Sequence, residues 1–142
     1  MREILFRGKR IDNGEWVQGS FCLDALELKN GPCGVDGFIR MYDFDNSKMQ
    51  MYEVDRETVG QYTGLTAHGT KIFEGDILKF SYTGKNHGVE GVAVVEFENG
   101  KFGVKWGWHK EFIPLDGFAN TTIEIIGNIH DNPELLEGAG ND

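Results

Sequence analysis

Between Val89 and Gly107 apolar residues alternate with polar ones on both sides of Asn99-Gly100, the pattern of two strands folded back on each other. Asn-Gly suits a type I′ turn, because both central residues of that turn need positive φ. Counting outward sets Glu98 opposite Lys101, Phe97 opposite Phe102, Val95 opposite Val104 and Ala93 opposite Trp106. Opposite charges beside the turn and apolar pairs beyond it agree on one register. Glu96 and Lys105 fall on the other face, toward water. Asn13-Gly14 predicts a second hairpin, residues 3–11 against 15–23, with Ile11 opposite Trp16, Arg10 opposite Val17 and Phe6 opposite Phe21. That register also sets Asp12 opposite Glu15, a like-charge pair that argues for a longer loop.

The same period of two predicts strands at Val35–Tyr42, Met49–Val54 and Ile77–Tyr82, and at Trp108–Leu115 up to the break at Pro114. Residues 24–34 mix strand-like alternation with an Asn30-Gly31-Pro32 turn. The β-branched run Thr121–Ile129 reads as the best central strand. Asp55 suits the cap of a turn at 55–59, and Asn132-Pro133 the start of a single helical turn. No long helix and no fixed-period repeat is predicted. The expected fold is mainly β: short antiparallel strands forming an N-terminal β module, residues 1–58, and a C-terminal SH3-like small barrel, residues 77–137. The Gly-rich stretch 59–76 reads as a turn-rich connector, and residues 138–142 as a flexible tail.

Composition supports this picture and narrows the function. The 142 residues fit one domain or two small modules, and 39% hydrophobic content with 20 glycines suits a packed all-β chain rich in turns. Net charge is -9; the first ten residues carry four cations against one acid, so the other 132 hold -12. A body this acidic repels nucleic-acid phosphates, and the basic segment Arg2–Arg10 reads first as a charged edge that resists pairing with neighbours. Cys22 and Cys33 have neither metal spacing nor a secretory context, no apolar run reaches the ~20 residues of a membrane span, and the chain is expected in the cytoplasm with reduced thiols.

Catalytic motifs fail one by one. Gly84-Lys85 has no glycine five places earlier, no G-x-G-x-x-G opens a helix, and the calcium-like Asp43-Phe44-Asp45 lacks the required glycine and the final glutamate. No catalytic residue, metal ligand or cofactor is expected. His68, His87, His109 and His130 are too scattered for a metal pair. Glu74 and Asp76 would share a strand face, yet Gly75 between them suits a tight turn that Asp76 caps. The favoured contact residues are Trp108, His109 and Lys110, an aromatic and cationic group, with Tyr62 and His68 on the Gly-rich stretch. Trp106 is assigned to the core.

Four segments carry a family resemblance. They are Arg7-Gly8-Lys9-Arg10 with Gly14–Gly19; Val59-Gly60-Gln61-Tyr62-Thr63-Gly64-Leu65; Lys71–Ile77; and Ile126–Leu135, which reads Ile-Gly-Asn-Ile-His-Asp-Asn-Pro-Glu-Leu. Together they make the chain resemble the YopX family of phage and prophage proteins. The resemblance implies a mainly β fold and supplies no catalytic residue to carry over. The function expected from all of this is a non-enzymatic accessory protein of a phage or prophage that binds a host or phage protein, with self-association into a homo-oligomer as a further partner. The alternative is a single-stranded nucleic-acid-binding barrel that uses Trp108–Lys110. A metal-dependent hydrolase built on Glu74, Asp76 and a histidine ranks last.

Overall fold

The computed structural model describes residues 3–22, 37–83, 88–106, 111–117 and 121–139. Strands and antiparallel sheets dominate. The chain divides into two compact units, Met1–Gly64 and Leu65–Asp142. The expected connector, 59–76, holds the end of one long strand, a short strand and two turns.

In the first unit β1 (Phe6–Arg10), β2 (Trp16–Cys22), β3 (Phe38–Asp43) and β4 (Lys48–Ala67) each pair antiparallel with the next, and β4 pairs back onto β1. Four strands thus close a ring. A ring this small has little room inside. Small residues make that room: Gly8 and Gly19 point inward with Val54 and Ile39, both fully buried. A Cβ on Gly8 would sit 3.1 Å from Val54, and one on Gly19 would collide with the Arg40 carbonyl oxygen across β2 and β3.

The first hairpin corrects the register read from Asn13-Gly14. Phe6 stands opposite Gly19, Gly8 opposite Val17 and Lys9 opposite Trp16, a slip of two residues. The turn is a four-residue loop, closed where the Arg10 N–H donates to the Glu15 carbonyl at 2.8 Å. The like-charge pair is the cause. Asp12 turns away from Glu15 to chelate the Arg10 guanidinium at 2.6 and 2.9 Å, and Asn13 Oδ1 accepts the Glu15 N–H at 2.9 Å. Because side chains alternate with a period of two, a slip of two keeps every face. Further on, β4 bulges at residues 56–59. There Asp55 caps the turn by accepting the Glu57 N–H, and the buried Thr58 hydroxyl accepts the Lys9 N–H and donates to the Asp55 carbonyl.

In the second unit the last residues of β4 turn through His68-Gly69 into β5 (Thr70–Phe73). One three-stranded sheet orders β11 (Thr121–Asn128), β6 (Asp76–Thr83) and β7 (Gly88–Val94); another orders β10 (Glu111–Pro114), β9 (Lys101–Trp106) and β8 (Glu96–Glu98). Leu78, Phe80, Ala93, Val95, Val104 and Leu115 form the core, together with Ala67 and Ile72. Burying a side chain such as Phe80 contributes roughly 1.5–3 kcal/mol. The central strand is β6, where Ile77 and Leu78 are both fully buried. The β-branched run 121–128 is instead at the edge of its sheet, where β6 alone pairs with it among the described residues; Thr122 and Glu124 are exposed and the rest half-buried.

The Asn99-Gly100 turn forms as expected, with φ of +52° and +79°, and Glu98–Lys101 and Phe97–Phe102 are opposite pairs. The hairpin does not extend to Ala93 and Trp106. At Val95 the chain leaves one sheet for the other, so Ala93 pairs with Leu78 and Trp106 with Glu111. The 73–76 turn anchors this crossing. Val95 N–H donates to the Asp76 carbonyl and Gly75 N–H donates to the Val95 carbonyl, each at 2.9 Å. Asp76 itself is 2% exposed, and its carboxylate accepts the buried Phe73 N–H at 2.7 Å. Gly75 takes φ +93°, which glycine alone adopts without strain, and its carbonyl accepts the Ile129 N–H. Helix α1 (Glu134–Ala139) follows the expected Asn132-Pro133 start, with Leu135 N–H donating to the Asn132 carbonyl.

Two substitutions test these supports. Gly19→Ala forces β2 away from β3 and should cost at least about 2 kcal/mol in urea unfolding; an unchanged midpoint would contradict the close approach. Asp76→Ala leaves the Phe73 N–H buried without its acceptor and should cost about 1–3 kcal/mol, whereas Asp76→Asn, which keeps an acceptor oxygen, should recover part of the loss.

Candidate functional site

The residues singled out in the sequence scatter. Trp108, His109 and Lys110 lie outside the described residues. Tyr62 is half-buried in β4 within the first unit, where its N–H donates to the Leu5 carbonyl at 2.7 Å. His68 is exposed at the first position of the β4–β5 turn in the second unit, at φ +52°. Glu74 and Asp76 do not make a catalytic pair: Asp76 is sealed in the turn against Phe73 N–H. Among the described residues no group of three His, Cys, Asp or Glu side chains is placed to hold a metal ion. No described helix is long and apolar enough to cross a membrane.

What the structure does assemble is an apolar row on the outside of the first unit. In the β3–β4 hairpin, Tyr42 stands opposite Met49 and Arg40 opposite Met51, while the buried Ile39 belongs to the other face. Alternation therefore aims Tyr42, Met49 and Met51 at solvent. Beyond them the Phe44 ring packs edge-on against Tyr42, centroids 4.7 Å apart. At the far end Ile11 N–H donates to the Glu53 carbonyl at 3.0 Å, which lays the β1–β2 loop beside Met51. The five residues are all open to water: Phe44 84% exposed, Met51 51%, Met49 50%, Ile11 50% and Tyr42 44%. Large side chains at these exposures usually occur singly; here they are contiguous, the pattern of an interaction surface.

Charges frame the row. Near Ile11 and Met51 a shallow pocket of about 180 Å³ is lined by Arg10, Asp12, Tyr52 and Glu53 as well. Arg10 lies over the Tyr52 ring, 4.5 Å from its centroid. Its hydrogen bond raises Arg10 above its ordinary pKa and holds the Asp12 carboxyl below the usual carboxylate value. At the tip of the hairpin Asp43 is also held below its usual value, chiefly by the Asn46 side chain at 2.7 Å and then by the N–H groups of Asn46 and Asp45. No nucleophile and base come together here. The chemistry on offer is non-covalent docking onto thioether and aromatic surface between ionised carboxylates.

The sequence carries one signal of this row. All three methionines after Met1 fall within residues 41–51, on the arms of one hairpin. Only the strand register shows that two of them share a face with Tyr42.

Comparison with known proteins agrees with this fold. A family model described as YopX protein matches residues 6–137. The protein yopX from Bacillus subtilis, solved by X-ray crystallography, aligns over 93% of this chain and 97% of its own with a TM-score of 0.60 at 19% identity. Protein EF1440 from Enterococcus faecalis aligns over 96% of this chain and 99% of its own, TM-score 0.54, at 21% identity. These likenesses concern the fold alone. No curated protein sequence matches the chain.

The Arg10–Asp12 pair gives a pH test. Asp12 titrates below an unfolded aspartate, so its contribution is present above pH ~4 and lost as pH falls through the lowered folded value. Carboxyl NMR titration should find Asp12 below the ordinary aspartate midpoint, and Arg10→Gln should return it upward. An Asp12 midpoint unmoved by Arg10→Gln would contradict the pairing.

Proposed function

The chain belongs to the YopX protein family, and from that premise we propose that it is a non-enzymatic protein-interaction module, encoded by a phage or prophage and working in the cytoplasm of the bacterial host. The observation that carries the reading is the exposed row Ile11, Met51, Met49, Tyr42 and Phe44. Burying such side chains on binding is the main source of association energy, and aromatic anchors ringed by polar groups are its usual form. Methionine adds a side chain that adjusts to the surface it meets.

The rival reading, a single-stranded nucleic-acid binder, draws on the cations of β1. Arg7 and Lys9 lie over the Trp16 ring at 4.8 and 6.0 Å, so these cations already crowd the ring on which a base would stack. The net charge of -9 opposes it as well. The cytoplasmic placement and the phage origin rest on the family resemblance.

The test is capture from a lysate of infected host cells by the tagged chain and by its Phe44→Ser/Met51→Asp variant. Both substitutions lie on exposed positions and should leave unfolding within about 0.5 kcal/mol of the parent. The variant should lose at least about tenfold of the captured partner, equivalent to 1.4 kcal/mol or more. A partner recovered equally by both would overturn the reading.

A further inference from the structure

The described asparagines are Asn13, Asn46, Asn99, Asn128 and Asn132, and all but one have their side chains tied down. Asn13 Oδ1 accepts the Glu15 N–H at 2.9 Å, and the next N–H along the chain, that of Gly14, donates to the Arg10 carbonyl at 3.0 Å. Asn46 Nδ2 donates to Asp43 Oδ2 at 2.7 Å. Asn128 Oδ1 accepts the His130 and Asp131 N–H groups at 3.0 and 2.9 Å, and its Nδ2 donates to Asp131. Asn132 Oδ1 accepts the Asn128 N–H, and Pro133 after it has no N–H to act as a nucleophile. Asn99 differs. It is exposed at the tip of the β8–β9 hairpin, and among the described residues its amide has no hydrogen-bond partner. Gly100 beside it is exposed too, and a Cβ there would meet nothing within 4 Å, so its nitrogen is open to approach. The tip is lightly held: three residue pairs join β8 to β9 before the chain leaves for the other sheet at Val95. A hairpin end with so few ladder bonds opens locally at little cost.

We propose that Asn99-Gly100 is a site of spontaneous covalent modification, where Asn99 is converted to aspartate and isoaspartate while the other described asparagines keep their amides. The Gly100 nitrogen gives its proton to hydroxide and attacks Asn99 Cγ. The N–Cγ bond forms, the Cγ–Nδ2 bond breaks, and Nδ2 takes a proton from water and leaves as ammonia. One water then opens the five-membered imide at either of its carbonyls. Attack at Cγ breaks the new bond and leaves aspartate at position 99. Attack at the main-chain carbonyl breaks the old peptide bond, so the chain runs through Cγ and gains a methylene, which is isoaspartate. Aspartate tolerates the left-handed conformation that Asn99 holds at φ +52°, and it adds a charge beside Glu98. Isoaspartate lengthens a two-residue loop whose closure sets the Glu98–Lys101 pair, and so loosens that pair and the Glu98–Lys105 contact at 3.8 Å.

The experiment ages the full chain in mildly alkaline buffer, folded and, in parallel, unfolded in urea. Peptide mapping by mass spectrometry follows the amide-to-acid change at each asparagine, with electron-transfer fragmentation to tell isoaspartate from aspartate. Asn13 is the internal control, because it too precedes glycine. In the folded chain Asn99 should convert at least about tenfold faster than Asn13, and in the unfolded chain the two should convert at similar rates. Conversion of Asn99 in the folded chain should slow in mildly acidic buffer, where the Gly100 nitrogen keeps its proton. Asn13 converting as fast as Asn99 in the folded chain would overturn the proposal, as would Asn46 or Asn128 converting first. So would Asn99 keeping its amide in the folded chain while losing it in the unfolded one, since the turn would then be protecting it. Conversion that acid does not slow would overturn the imide route.

Discussion

The hydrogen bond from Phe73 N–H to the buried Asp76 carboxylate sets the geometry of the second unit. It fixes a turn in which Gly75 and Asp76 then bind both sides of Val95, and it delivers Ile77 and Leu78 into the middle of a sheet. A carboxylate out of water is costly unless it is hydrogen-bonded. The same cost makes the turn specific, because the carboxylate has to keep a donor once it is out of water. The crossing of the chain from one sheet to the other at Val95 follows from it. That crossing is what makes two three-stranded sheets from strands that the sequence presents as one long hairpin.

The first unit rests on a different constraint, which is space. Four strands closed in a ring allow little volume inside, so glycine stands where β1 and β2 face Val54 and Ile39. With few inward positions to fill, several large side chains of the β3–β4 hairpin have no interior to enter. The outward row of methionine and aromatic residues is therefore compatible with the ring's stability and not required by it. Side chains that folding does not demand, placed together in water, are the ground for reading the row as functional.

Much of this was legible in the sequence, and the failures have physical causes. Asn99-Gly100 fixed its hairpin because both residues need positive φ and the flanking pairs agreed. Asn13-Gly14 did not, because Arg10 drew Asp12 out of the two-residue turn and lengthened the loop. Gly60 falls in the stretch that reads as a connector, yet it lies in β4 opposite Arg7. Thr121–Asn128 read as central from its β-branched content, and its edge position depends on which strands flank β6, which composition cannot express. The role of Asp76 was legible, since an acid after glycine before a strand is a capping pattern. The apolar row was not, because it joins side chains from a loop and two strands through a register that no single segment encodes. Tyr62 and His68 both have loop-like surroundings in the sequence, yet Tyr62 lies within a strand.

The central claim is that the outer face of the β3–β4 hairpin is where this YopX-family chain meets its partner. Hydrogen–deuterium exchange on the full chain, alone and saturated with the partner it captures, tests that claim most directly. The account requires slowed exchange across residues 40–51 and at Ile11, with β11 unchanged. Slowed exchange confined to the second unit, with residues 40–51 exchanging as in the free chain, would contradict it.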